Sequence, residues 1–273
     1  MTTFLNKRKS LTTFDLKVIG LVLMVFDHIH QMFAGAGVPG WFNWLGRPVA
    51  TIFFFVSVEG FTHTHDKKKY LWRLLIGYWI MGVGDALIQA FFSVGNVALM
   101  NNIFGDLFVG VSAMYGYEKF KAALKKHDLK SGLSGSVLIG LPLLLSLYLH
   151  FSVQGRGFFQ LSSILVNFIY PSAAGAENAY FCYLAFFLYL VKDNRKLQYL
   201  FIVIAAIWYT GYLSYWQFND LFTVNIQWMM IFAIIPIALY NSKRGKSMKY
   251  FFYIFYPAHI WGLFILASLL GVK

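Results

Sequence analysis

From residue 16 to residue 270 the chain alternates long apolar runs with short loops, and most runs match the roughly 20 residues a helix needs to cross a bilayer. Inside hydrocarbon no water is available for unpaired backbone groups, so runs of this length must be helical. Stretches of alternating polarity that would build a lipid-facing barrel are absent from the sequence. Only 12% of the 273 residues are charged and 59% are hydrophobic, against roughly 25% charged in a soluble domain. The expected fold is therefore an all-α, polytopic membrane helix bundle, one integral-membrane domain over 1–273 with a cytoplasmic segment at 1–14.

Ten apolar segments are predicted, at about 16–34, 47–63, 69–93, 101–120, 134–151, 158–172, 177–191, 197–216, 224–240 and 250–270. Arg47-Pro48 opens the second, because proline is well tolerated at a first helical position. Gly77 and Gly84 share a face of the third and predict a close helix contact. Aromatic residues make up 20% of the chain, and many Tyr and Trp side chains stand at run ends, as interfacial anchors do. The net charge of +12 sits largely in short loops, with Lys7-Arg8-Lys9 before the first helix and basic groups at 64–73, 118–130, 192–196 and 241–249. Cytoplasmic loops collect Lys and Arg, so the charge reads as topology and not as nucleic-acid binding. Placing all these loops on one side requires that one of the three segments between 130 and 192 not cross fully. The segment 158–172, short and bounded by Arg156 and Pro171, is the weakest candidate and is expected to be re-entrant or to lie flat. The result is nine to ten transmembrane helices with a cytoplasmic N-terminus. Asp27, His28 and His30 interrupt what would be the core of a signal peptide, so the first helix is read as retained. The single cysteine, Cys182, excludes an internal disulfide and reads as a packing residue.

Ionisable groups at membrane depth are expensive and mark functional sites by default. The first helix carries Lys17 near its start and Asp27, His28 and His30 deep inside. Eleven steps of about 100° bring Lys17 and His28 to nearly the same face, with Gly20 and Met24 between and Gln31 beyond. At about 1.5 Å per residue the two lie roughly 16 Å apart along the axis. A cation near the cytoplasmic surface and a deep imidazole thus line one stripe. Asp27 points about a quarter turn away, and Arg47, at the end where the first helix finishes, is its natural partner. In the last helix Tyr256-Pro257-Ala258-His259 puts a second deep histidine beside a proline, with Tyr256 and His259 one turn apart. Asp85, Asn101, Asn102 and Asp106 are further network residues at or near membrane depth. Lys69, Arg73, Lys243 and Arg244 are basic-loop residues that either mark topology or bind phosphates, which guanidinium forks suit. A metal is not expected, since His28 and His30 lie about 200° apart on one helix and cannot chelate together.

Several of these motifs resemble the TraX family of membrane proteins. They are Leu16-Lys17 followed by Met24 and Asp27-His28; Arg47-Pro48 followed by an aromatic run and Gly60; Tyr70-Leu71-Trp72-Arg73-Leu74; Asn102-Ile103-Phe104; and Lys249-Tyr250 leading to Phe255-Tyr256-Pro257-Ala258-His259. The likeness runs from about residue 14 to 265. TraX-type proteins are associated with N-terminal acetylation of a pilin subunit. They also look like relatives of the acyltransferase-3 group, membrane enzymes that move acetyl groups from cytosolic acyl-CoA to extracytoplasmic acceptors. That group carries a basic residue, ten residues and a histidine in its first helix, which Lys17 and His28 match. It tends to carry two arginines three apart in its third helix; here Tyr70 stands where the first would be and Arg73 where the second is.

The resemblance implies a prokaryotic cytoplasmic-membrane acetyltransferase whose partners are membrane lipid, acyl-CoA and a peptide or glycan acceptor. Acetyl-CoA would be the cosubstrate, its phosphates held by Lys17, Arg73, Lys69, Lys243 and Arg244. His28 would act as general base or transient acetyl carrier, Asp27 and Arg47 would hold the site's geometry, and His259 and Tyr256 would orient His28 or stabilise the oxyanion. The alternative is a proton-coupled transporter or flippase, since intramembrane His/Asp chains also relay protons. No internal repeat is visible in the sequence, which counts against it.

Overall fold

The computed structural model describes residues 10–100, 102–153, 158–174, 180–210 and 217–272. Lys7-Arg8-Lys9, Asn101 and Arg156 lie outside the described residues. The structure is all-helical, with eleven α-helices and no named strand among the described residues. They are α1 (Thr13–Phe33), α2 (Trp41–His63), α3 (Lys67–Phe91), α4 (Ile103–Lys126), α5 (Leu129–Val153), α6 (Phe158–Ile169), α7 (Tyr183–Leu190), α8 (Arg195–Tyr209), α9 (Asp220–Thr223), α10 (Ile234–Ala238) and α11 (Lys249–Leu269). A 3-10 helix, Ile226–Ala233, leads into α10. Among the described residues, four helical stretches are long and apolar enough to cross a membrane: Thr13–Ala36, Lys67–Phe91, Leu129–Ser152 and Tyr250–Leu269. They make this a membrane protein.

The helix boundaries differ from the sequence reading where local capping chemistry decides them. α1 starts three residues earlier than expected because Thr12 and Asp15 form a capping box. The Asp15 backbone N–H donates to Thr12 Oγ1, and the Thr12 N–H donates to Asp15 Oδ2 at 2.8 Å. Pro48 does not open α2; the helix begins at Trp41 and runs through the proline. The basic stretch 118–130 is not a loop. α4 continues to Lys126, turns at His127 in the left-handed region, and α5 starts two residues later, its first turn tied to Asp128 Oδ1 by the N–H groups of Lys130 and Ser131. The segment expected as one helix at 224–240 is instead the 3-10 helix plus the short α10, which contains Pro236.

The chain gathers into two compact units. The first comprises Met1–Val56, Gly84–Leu99 and Asn194–Lys273. Here α1 packs on α11, and α8 on the 3-10 helix. α1 and α11 run parallel: Phe14 meets Phe252 edge-on with centroids 6.0 Å apart, and further along both helices His28 meets His259. The loop before α11 is bonded onto the start of α1. The N–H groups of Thr13 and Phe14, which have no intrahelical acceptor, donate to the carbonyls of Lys243 and Arg244 at 2.8 and 3.2 Å. Gly245 makes that approach possible. Its φ is +70°, and a Cβ there would overlap Thr12.

The second unit comprises Ser57–Val83 and Met100–Asp193. α4 is its central helix, buried over most of its first half and packed on α5 and α7. α4 and α5 approach closely at Gly116 and Gly135, where a Cβ on either would come within 2.6 Å of the other's carbonyl oxygen. Gly77 and Gly84, expected to serve such a contact, instead admit aromatic rings: Phe104 lies against Gly77 in the second unit and Trp261 against Gly84 in the first. A polar cluster joins Lys67, Glu118 and Tyr189. Lys67 and Glu118 form an ion pair, and the Tyr189 hydroxyl donates to Glu118 at 2.7 Å.

Candidate functional site

The site residues of the first unit group around the buried stripe of α1. That stripe is Leu16, Gly20, Met24, His28 and Met32, a residue every four, so it follows one face of the helix. Gly20 lets the Phe53 ring come against it: a Cβ at Gly20 would stand 3.0 Å from that ring. Lys17 flanks the stripe, and its ammonium lies 5.3 Å from the Phe252 ring centroid on α11. Lys17 and His28 thus both meet α11, two turns apart on it, against Phe252 and His259.

His28 is 4% exposed. Its Nδ1 lies 2.7 Å from His259 Nε2, and the two rings meet nearly end to end, with centroids 4.9 Å apart and planes 26° apart. His259 Nδ1 lies 2.8 Å from the carbonyl oxygen of Phe255, one turn back on α11. A carbonyl only accepts, so His259 carries a proton on Nδ1. With both rings neutral, His259 Nε2 accepts and His28 Nδ1–H donates. The lone pair of His28 then resides on Nε2, a tautomer assigned from the bonding pattern. Phe255 stacks on the His259 ring at 5.0 Å, and the buried Tyr256 meets it edge-on at 5.8 Å. His259 is therefore held by a carbonyl and two aromatic rings.

Asp27 and Arg47 form an ion pair, with Nη2 3.0 Å from Oδ1 and each side chain 19% exposed. Arg47 is fixed twice more. Its Nε donates to the Asn43 carbonyl at 3.3 Å, which needs the extra turn of α2 ahead of Arg47, and its Nη1 donates to Gln227 Oε1 at 3.2 Å. Gly46 makes the approach possible, since a Cβ there would overlap the Asp27 carboxylate. Gln227, Asn43 and Gly46 escaped the sequence reading. A glutamine in an apolar run and a glycine immediately before an arginine were the signals available.

A third cluster lies nearby in sequence on α11. Trp261 Nε1 donates to Asp85 Oδ1 at 2.7 Å, and Gln89 bonds to the Asp85 and Leu99 carbonyls and to the Leu99 N–H. In the second unit, Asn102 donates from its amide to the Tyr78 carbonyl at 3.0 Å, and Asp106 is 1% exposed.

The basic residues divide between the units. Lys17, Lys243 and Arg244 collect at the start of α1, because the 241–248 loop is bonded there, and Lys243 and Arg244 are exposed. Lys69 and Arg73 belong to the second unit. There Arg73 Nε donates to the Lys69 carbonyl and the guanidinium lies 5.9 Å from the Tyr70 ring centroid.

Against this geometry, the family model described as TraX protein matches residues 13–267. The chain is also similar to a protein of Dichelobacter nodosus named probable fimbrial assembly protein FimC, serogroup H1. The two are 26% identical over 276 positions, covering 94% of this chain and 96% of that protein. No solved structure matches the chain.

Proposed function

Because this chain belongs to the TraX family, we propose that it is a membrane-embedded acetyltransferase. It moves an acetyl group from cytosolic acetyl-CoA to an amine or hydroxyl acceptor, a peptide N-terminus or a surface glycan, at or beyond the membrane. The observation that carries this reading is the His28–His259 pair, two ring nitrogens 2.7 Å apart with His28 buried. The fimbrial-assembly name of the similar protein fits a surface-protein acceptor.

In the reaction proposed, His28 Nε2 takes the proton from the acceptor nitrogen or oxygen as that atom attacks the thioester carbonyl. The new N–C or O–C bond forms, the C–S bond breaks, and the same proton passes to the leaving thiolate. His259 holds the His28 ring through Nδ1 and shares the positive charge that develops. Asp27 and Arg47 fix the end of α1 against α2 and so position His28. Lys17, Lys243 and Arg244 are suited to the phosphates of acetyl-CoA, and Lys69 and Arg73 form a basic pair of their own on α3 that suits the same oxygens. The protein is read as lying in the cytoplasmic membrane with its N-terminus inside and nine to ten spans.

The test is transfer of labelled acetyl from acetyl-CoA by purified protein in proteoliposomes. His28→Ala is expected to lower the rate by about 10²–10⁴-fold, the usual contribution of a general base. An unchanged rate would overturn the reading.

A further inference from the structure

The reaction proposed above gives Arg195 no role, yet three residues of the first unit hold its side chain. Arg195 opens α8, and its guanidinium lies 4.5 Å from the ring centroid of Phe55 and 5.7 Å from that of Tyr240, two buried rings that meet edge-on. Its Nη1 donates at 2.8 Å to Oε1 of Gln198, a buried residue one turn further along α8. Holding a cation against buried rings costs hydration, and an apolar side chain would pack on those rings without that cost. A buried amide that accepts from the guanidinium adds a fixed direction. Arg195 itself is half-buried, so the residue keeps contact with solvent. The same contacts place it beside the other basic residues of this unit. Tyr240 forms an isolated bridge with Leu11, and its hydroxyl lies 3.0 Å from Thr13 Oγ1. The Thr13 N–H donates to the carbonyl of Lys243, three residues after Tyr240. Lys243 and Arg244 are exposed, so a ligand reaches them from solvent. The acid on this turn, Asp15, is engaged by the hydroxyl and N–H of Thr12. Thr13 also begins one of the four stretches long enough to cross a membrane, which puts the group at the level of lipid headgroups.

We propose that Arg195, together with Lys243 and Arg244, binds a phosphate group. Ring contacts take up the face of a guanidinium, while its planar N–H fork matches phosphate oxygens. The phosphate has two sources: acetyl-CoA, or the headgroup of an anionic phospholipid. The first rests on the acetyltransferase reading and the second does not.

Arg195→Gln removes the charge, and Arg195→Lys keeps a charge against the rings but loses the fork. Thermal melting of the detergent-solubilised full chain reads the affinity. It is titrated separately with coenzyme A and with phosphatidylglycerol, with phosphatidylcholine as the zwitterionic control. At least one of the two anionic probes is expected to stabilise the natural protein, and its apparent Kd to rise about tenfold in Arg195→Gln. A rise for coenzyme A assigns the phosphate to the cosubstrate, and a rise for phosphatidylglycerol assigns it to lipid. Stabilisation by neither probe, or Kd values that stay within twofold of the natural protein, would overturn the proposal. If Arg195→Gln does not fold, Arg195→Lys is titrated in its place and judged by the same twofold limit. Acetyl transfer in proteoliposomes is measured separately. No transfer by the natural protein overturns the functional reading and leaves the phosphate site to stand or fall on the titrations.

Discussion

Nδ1 of His28 and Nε2 of His259 lie 2.7 Å apart, joining helices separated by more than two hundred residues of chain. The bond ties the tautomer of His28 to a single carbonyl, that of Phe255. Removing His259 should therefore act through His28 and not by loss of substrate contact. His259→Ala is expected to slow acetyl transfer about tenfold, equivalent to roughly 1.4 kcal/mol, with little change in the KM of acetyl-CoA. His259→Gln, whose side-chain carbonyl can accept from His28 Nδ1–H, is expected to recover most of the rate. Steady-state kinetics on the two variants checks this.

Gly46 and Asp27 are coupled by contact. Gly46→Ala should displace the carboxylate from Arg47 and destabilise the protein by about 1–3 kcal/mol, the usual cost of overpacking. Asp27→Ala removes the overlap but leaves Arg47 without its counter-ion. The double variant should then lose less stability than the sum of the two single variants. Thermal melting of both single variants and the double variant in detergent measures that coupling, and strict additivity would contradict it.

Asp85 and Trp261 make a second buried contact whose logic is a single donated bond. Trp261→Phe keeps an aromatic ring against Gly84 but strands a buried carboxyl group, at a cost of about 1–3 kcal/mol. Asp85→Asn retains an acceptor oxygen and should melt close to the natural protein. A loss from Asp85→Asn as large as that from Trp261→Phe would overturn this expectation.

The parallel packing of α1 on α11 has its own check. In a Cys182→Ala background, cysteines replacing Phe14 and Phe252 should be joined by a short bifunctional maleimide. Cysteines replacing Phe14 and Leu266 should not be, since Leu266 lies about 21 Å further along α11. The products are read from the mobility of the cross-linked chain in a denaturing gel.

Periodicity and the cost of burying charge were enough to make helices and a membrane of this sequence, and to single out Lys17, Asp27, His28, Arg47 and His259. Those arguments need only local information: which face a residue occupies and what it costs to bury it. Family membership was legible for a similar reason, in short motifs kept in order along one chain. Tertiary structure alone decided which of these residues meet. Nothing local directs His28 to His259, or gives Arg47 a second partner in Gln227, because those contacts form only when α11 and the 3-10 helix pack against α1 and α2. It also decided where helices begin and break. The capping box at Thr12 was readable but the carbonyls of Lys243 and Arg244 that complete α1 were not, since they arrive from the far end of the chain. Glycines were the least legible, because what each one makes room for is a matter of its neighbours: Gly46 for a carboxylate, Gly84 for an indole, Gly116 and Gly135 for each other's backbone.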